Sequence, residues 1–465
     1  MFKYNGIEVQ TTPGRTITCP DVTIEIGEPF IIASKDESHD EGEFVTPQLY
    51  NFNGNIFVNW SFTYDGNLDR NFPCKANGRI SRDGGKTWER QKTLLPPGAK
   101  YMTDRNEVTS YWGCFEIPGR PGEYLVPTWR SYDNGLSWED YSLTYVTYPG
   151  TRGVDIYDKE FVNKYRQNWR SMTIPDEPPE YLREYFNCIS RKRFSSQGGL
   201  KPQVTHKDGT IYSLIYGRYL ECNFKNITDW DNDYWSKLNL NSSSVFIQES
   251  KDKGRTWNLT GIIKDIWANE QDREKQLADG LCEPSLVIYP DDEMVCVMRT
   301  GSFKPLYISR SMDRGRTWST PEPLPVVGVN PKLILLDNGI LVLATGRPDC
   351  TIHFSNDRGK SWFLSETLFV VGYKGEGYMG YQDLSRNIYG ASHCNVKMTQ
   401  LDKETLLYVH DAGRHDPGAS HPWLQKYGHG LIIGRLIKVK QKRNYGVSFL
   451  KQGDVSFELK GANEP

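Results

Sequence analysis

The chain has 465 residues and balances 56 Lys plus Arg against 58 Asp plus Glu, a formal net charge of −2. No global basic field marks it for nucleic acid or an anionic bilayer, and no run approaches a membrane span. The opening MFKYNGIEVQ lacks the apolar core of an export signal, and nine scattered cysteines without CxxC spacing read as reduced thiols, so a cytoplasmic location is expected.

In chain order, residues 7–32 are expected to add a strand to the last repeat of the fold. A first inner strand follows around Leu49, then the loop TYDGNLDRNFPCKANGR, and then the octet SRDGGKTW from Ser81. That octet recurs as SYDNGLSW from Ser131, SKDKGRTW from Ser250, SMDRGRTW from Ser311 and SNDRGKSW from Ser355. Five copies of Ser-x-Asp-x-Gly-x-(Ser/Thr)-Trp declare repeated units. The residue types suit a tight strand-to-strand turn: Ser and Asp accept local N–H groups, Gly takes positive φ, and Trp begins the next strand and packs on the unit's core. Between octets, stretches such as EPSLVIYPDDEMVCVMRTG and PKLILLDNGILVLATGRPD read as paired apolar strands around a turn.

The octet Asp positions 83, 133, 252, 313 and 357 leave gaps of 50, 119, 61 and 44. A unit takes roughly 40–60 residues. The long gap is therefore read as an insertion at about 150–197, charged, Pro-rich and containing PPEYLREYF as a short helix. ASHCNVKMTQLDKETLLYVHDAG and HGLIIGRLIKVK then supply a sixth unit without an octet. The fold expected is all-β, a single-domain six-bladed β-propeller over 1–465, with seven blades as the alternative.

Aligning the inner strands on Leu49, Val108, Val204, Leu286, Leu333 and Val396 places Thr46, Arg105, Lys201, Glu283, Asn330 and His393 in one column. A second column, at the end of the second strand, holds Arg218, Arg299, Arg347 and His410-Asp411. Both columns belong on the propeller face opposite the octet turns. Repeats need matching core residues, but they do not need several cations at one mouth; these suit an anionic ligand. A single Arg there also serves to tie neighbouring blades. Glu283 needs a partner in such a place, and Arg299 is the obvious one.

The octet resembles the Asp-box (BNR) signature of the sialidase superfamily, and octets plus blade pattern cover nearly the whole chain. The resemblance implies a catalytic Glu opening one inner strand and an Arg ending the next strand, matched by Glu283 and Arg299. It implies a further arginine, nearest to Arg347, and an acid/base Asp in the first blade's loop, where Asp69 and then Asp65 stand. Two positions depart from the family. Its first arginine precedes Ile-Pro, whereas this chain has Val45-Thr46-Pro47, and its nucleophilic Tyr is replaced by His393. Arg218 is a candidate displaced clamp, and Tyr389 or Tyr381 a candidate displaced hydroxyl.

His393 beside a carboxylate suits a general base near neutral pH. Five of the eight histidines fall at 393, 410, 415, 421 and 429, but none has metal-ligand spacing, so no metal or other cofactor is expected. The loops TDWDNDYW, with Trp230 and Trp235, and RHDPGASHPWLQKYGHG, with Trp423, offer aromatic platforms for sugar rings. The leading reading is an exo-acting glycoside hydrolase on an acidic glycan. Asp69, Glu283 and His393 are its chemistry, and Arg218, Arg299, Arg347, Lys201, Arg105, Asp411, Trp230 and Trp235 its binding set. The alternatives are a lyase using His393 beside a uronate, and a non-catalytic carbohydrate- or protein-binding propeller.

Overall fold

A computed structural model describes residues 11–34, 45–61, 77–91, 98–111, 123–139, 142–147, 200–218, 243–264, 280–301, 304–346, 349–369, 395–412 and 431–442, with a few isolated residues between them. These contain strands and turns and no helix. The expected insertion at about 150–197 and its helix, both aromatic loops, and Asp65, Asp69, Arg347, Tyr381, Tyr389 and His393 lie outside the described residues.

The strands form six antiparallel units. Their innermost strands are Val45–Phe52, Ala99–Met102, Pro202–Thr205, Cys282–Ile288, Val329–Leu335 and Val396–Gln400. Each touches the next, and the last touches the first, so the inner strands close a ring. Each inner strand ends its sheet, so the ring turns six short edges toward its axis, where neighbouring units shield them. The outer strands of the second and third units, Ser142–Thr147 and Thr256–Ile263, pair in parallel and join those two units into one sheet.

The sixth unit is completed by the chain's beginning, as the sequence leads one to expect. Leu431–Gln441 pairs with Val22–Ile26 and with Phe30–Ser34, and Arg15–Thr18 lies outermost. Arg435 is fully buried and donates to the Gly27 and Thr12 carbonyls and to Thr11 Oγ1. It ties the last strand to the first residues through neutral acceptors, and burial lowers its guanidinium to about 10.

Every octet builds the same Ser–Asp turn, and in the first four the Trp indole also closes on the box glycine carbonyl. In the fourth unit, Ser311 Oγ donates to Asp313 Oδ1 at 2.8 Å and accepts Gly315 N–H at 2.8 Å. Asp313 also accepts Thr317 N–H at 2.8 Å and Thr317 Oγ1–H at 2.6 Å. The Trp318 indole N–H donates to the Gly315 carbonyl at 2.9 Å. Hydrogen bonding of this kind holds all five box aspartates below the usual carboxylate range, against the opposing effect of burial. The stability they contribute is present above the ordinary aspartate pKa and is lost as pH falls through their lowered values.

The box glycines have φ of 82°, 85°, 78°, 83° and 79°, and the residue before each is also left-handed. That conformation pushes the turn against the preceding unit. Gly85 faces Leu407, Gly135 faces Phe52 and Phe57, Gly254 faces Tyr111, Gly315 faces Ile247, and Gly359 faces Ile308. The box tryptophans follow. Expected on their own unit's core, they lie instead in the seam with the preceding unit, Trp257 entirely buried against Tyr111. Buried hydrophobic side chains form six clusters, one for each seam between neighbouring units.

Gly254→Ala tests this packing, because a methyl group there meets the Tyr111 hydroxyl and Thr103 at a φ of 78°. The substitution should cost about 2–4 kcal/mol, overpacking added to left-handed strain, and lower Tm by several degrees. An unchanged Tm would show that the seam is loose.

Candidate functional site

In each unit the first hairpin and the box turn lie at one end of an antiparallel meander, so residues that open the first strand lie at the other. Glu283 stands five residues before Ile288, where the strand reaches its hairpin, about 16 Å away at 3.3 Å per residue. The ladder between Cys282–Ile288 and Met294–Arg299 breaks register between Cys282 and Ser285, a bulge that contains Glu283 and Pro284. Similar bulges hold Thr46-Pro47 and Asn330-Pro331. Proline cannot donate to a ladder, so the x-Pro pair is extruded as a bulge. Glu283 and Asn330 pay for this with φ of 48° and 50°, left-handed values that side chains bearing a Cβ rarely take.

The bulges align a hydrogen-bonded chain across three units. Arg299 Nη1 donates to Glu283 Oε1 at 2.9 Å, and Glu283 Oε2 accepts Asn330 N–H at 2.7 Å. Asn330 Nδ2 donates to Asn395 Oδ1 at 3.0 Å, and Asn395 N–H donates to Asp411 Oδ1 at 2.8 Å. Asn395 and Asp411 are buried; Glu283 and Arg299 keep 24% and 13% of their side chains exposed, enough to meet a ligand. A carboxylate offers about four lone-pair sites and a guanidinium five N–H donors, so both retain hydrogen-bonding capacity after meeting each other.

Three lysines flank this chain. Lys201, from the third unit, places Nζ 5.4 Å from the centre of the Tyr216 ring. Lys332 and Lys397 pair with Ala344 and Val409 and occupy the same register in the fifth and sixth units. Withdrawal from water lowers all three ammonium groups, Lys201 to about 8 and Lys397 furthest of all. Glu283 favours the charged form of each, while Lys332 disfavours it at Lys201, and Lys332 and Lys201 disfavour it at Lys397.

The sequence-based columns are thus partly kept and partly corrected. Glu283 and Arg299 meet, and Lys201 lies in their field. Asp411 occupies the register of Arg299 counted from the hairpin, so it belongs to the same level. Arg105 does not. The second unit's inner strand is Ala99–Met102, Val108 opens the second strand, and Arg105 sits in the hairpin between them. Its carbonyl accepts Asn53 Nδ2, placing it at the box end.

Arg218 and Arg299 are not at one register either: Arg299 is the sixth residue of its strand and Arg218 the eighth. The second strands differ in length, so their final residues do not lie level. Counted from the hairpin, the sixth unit's counterpart of Glu283 and Asn330 is Asn395, with His393 two residues earlier in sequence. His410 is structural: buried between Phe369 and Tyr408, with Nδ1 against the Asp411 carbonyl, its imidazole is pushed down to about 4.

Asn395, Lys332 and Lys397 were missed because the columns were aligned on the first apolar residue. Counting back from each hairpin finds all three.

Two stretches of the chain match known families: residues 201–393 match the BNR repeat-like domain, and residues 79–90 the BNR/Asp-box repeat. No curated protein sequence matches the chain. A crystal structure of a Dyadobacter fermentans protein of unknown function is similar at a TM-score of 0.56 and 16% identity, covering 91% of this chain and 100% of that one. The Hadza microbial sialidase Hz136 aligns at 0.49 and 15%, covering 89% and 68%. The GH93 alpha-L-arabinofuranosidase of Fusarium graminearum aligns at 0.45 and 12%, covering 92% and 98%.

Glu283→Gln keeps the shape of the bridge and removes its charge. It should cost about 1–3 kcal/mol, less than the roughly 3–5 of a fully buried pair because the site is partly wet. Chemical denaturation measures this, and wild-type stability would remove the bridge from the account.

Proposed function

We propose that this chain, which matches the BNR repeat-like domain over residues 201–393, is a glycoside hydrolase removing a terminal sugar that bears an anionic group. The observation that carries the reading is Glu283, held by Arg299 on one oxygen and by the Asn330 backbone on the other, beside Lys201. A fixed carboxylate opposes positive charge developing at the anomeric carbon, while the neighbouring cations hold the substrate's anionic group.

Asp69 is assigned the proton transfer to the leaving oxygen, on the strength of the resemblance. His393, two residues before Asn395 in sequence, is assigned activation of water. Net hydrolysis adds the elements of one water across the glycosidic bond: Asp69 gives its proton to the leaving oxygen, His393 takes one from the attacking water, and proton exchange with solvent restores both. Arg299 and Lys201 supply the anion contacts. Arg218, Arg347, Trp230 and Trp235 remain assigned to substrate binding from the sequence alone.

Release of a reducing monosaccharide from sialosides and uronate-terminated oligosaccharides tests the reading. Arg299→Ala should lower kcat/KM by about two orders of magnitude. Glu283→Gln should lower kcat more than it raises KM. An unsaturated product absorbing near 235 nm would replace hydrolysis by elimination, and binding without turnover would make the propeller a carbohydrate-binding module.

The pH dependence has a definite sign. Lys201 is cationic below about 8 and loses its proton above it, so KM for an anionic substrate should rise as pH passes upward through that value. Lys201→Arg, charged throughout, should abolish the rise. A flat wild-type KM up to pH 9.5 would take Lys201 out of the binding set.

A further inference from the structure

The hydrolase reading needs Glu283 to hold one orientation, and the groups that hold it reach two units further round the ring. Counted from the hairpins, Glu283, Asn330 and Asn395 stand at one level of the fourth, fifth and sixth units. Their second-strand counterparts at that level are Arg299, Gly346 and Asp411. Arg299 meets the Glu283 carboxylate, and Asp411 takes the Asn395 backbone N–H. Glycine at 346 offers Asn330 no side chain of its own unit. The Asn330 amide reaches the next unit instead, donating to Asn395 Oδ1 at 3.0 Å, while its backbone N–H donates back to Glu283 Oε2 at 2.7 Å.

That backbone donor depends on the left-handed conformation of Asn330. Its φ is 50° although Pro331 follows, and a residue before proline ordinarily takes extended backbone with negative φ. Turning φ rotates the N–H relative to the side chain, so a side chain anchored on Asn395 keeps the N–H on Glu283. The anchor is firm. Asn395 is 5% exposed, and its own N–H is held at 2.8 Å by Asp411, which is 2% exposed. Hydrogen bonds withdrawn from water to this degree are costly to break.

We propose that Asn395, backed by Asp411, is a positioning residue for Glu283, acting through the left-handed backbone of Asn330. Arg299 fixes one carboxylate oxygen from within the fourth unit, and this relay fixes the other from the sixth. Its effect on rate rests on the hydrolase reading; the coupling between Asn395 and Glu283 does not. Glu283 acts on charge that develops in the transition state, so lost positioning belongs in kcat rather than KM.

Kinetics of the full chain, at a temperature where each variant stays folded, gives the first test. Asn395→Ala removes the acceptor and keeps the backbone N–H for Asp411. It should lower kcat about tenfold with KM within about twofold, since a misplacement of about 1 Å can cost a hundredfold. Asn330→Gly takes a left-handed φ without strain and keeps the N–H for Glu283, so it breaks the same link should Asn395→Ala fail to fold. It should lower kcat to the same degree, and the double variant should lose no more than either single one. A residue serving stability alone would lower Tm and leave kcat of the folded protein unchanged. Full kcat in either folded variant, or a loss confined to KM, overturns the assignment.

A double-mutant cycle by chemical denaturation needs no turnover. The effect of Asn395→Ala on the folding constant should be smaller by at least about threefold in a Glu283→Ala background than in wild type, because the two residues belong to one hydrogen-bonded chain. Equal effects in both backgrounds overturn the relay. A coupled cycle in a protein that cuts none of the sugars keeps the relay and contradicts the hydrolase reading. Turnover with an uncoupled cycle does the reverse.

Discussion

The structure depends on a single side-chain hydrogen-bond closure repeated five times. A serine hydroxyl and an aspartate carboxylate satisfy the N–H groups of a turn that would otherwise have to face solvent, and this lets two successive residues stay left-handed. The glycine that results has no Cβ to hold the next sheet away. It packs on the preceding unit, and the box tryptophan fills the same seam. Local turn chemistry thereby becomes long-range architecture. The sixth unit has no box, and its closure is achieved by another route, Val22–Ile26 and Phe30–Ser34 pairing in succession along one edge of the last strand, with Arg435 pinning the chain's first residues to it.

The box end is also where charge is spent on structure. Arg358 reaches Asp291 and Glu293, and Arg314 reaches Asp208 and Asp292, each linking a box to neighbouring hairpins. Most of these groups are partly exposed, so each pair contributes little, about 0–1 kcal/mol. Their effect is to order the hairpins. The opposite end is built differently: x-Pro bulges at Thr46-Pro47, Glu283-Pro284 and Asn330-Pro331 replace regular pairing. Left-handed backbone at Glu283 and Asn330, without the glycine or hydrogen-bonded turn that supports it at the boxes, is a physical mark of a binding site.

How much of this the sequence discloses follows from where its signals are local. The boxes are short-range motifs, so fold class and unit boundaries could be read directly, and Glu283-Pro284 with Arg299 could be aligned because their hairpin, Asp291-Asp292, is recognisable. Arg105 was misplaced because the hairpin from Thr103 to Glu107 contains neither Gly nor Pro and looks like the approach to a strand. Asn395 was passed over because Val396 resembles the first core residue of other units while standing two positions earlier in the ladder. Lys332 and Lys397 belong to no motif that singles them out in the sequence. Only the ring brings them together, since they come from different units and the closeness of those units is a tertiary fact.

The central claim is that the end of the ring carrying Glu283 and Arg299 receives the anionic part of a sugar. The most direct measurement is a crystal structure of the Glu283→Gln protein soaked with an acid-bearing oligosaccharide. The account predicts the sugar's anionic group within hydrogen-bonding distance of Arg299 and its glycosidic oxygen beside position 283. Ordered sugar at the box end instead, or at this end with its anionic group turned away from Arg299 and Lys201, would contradict it.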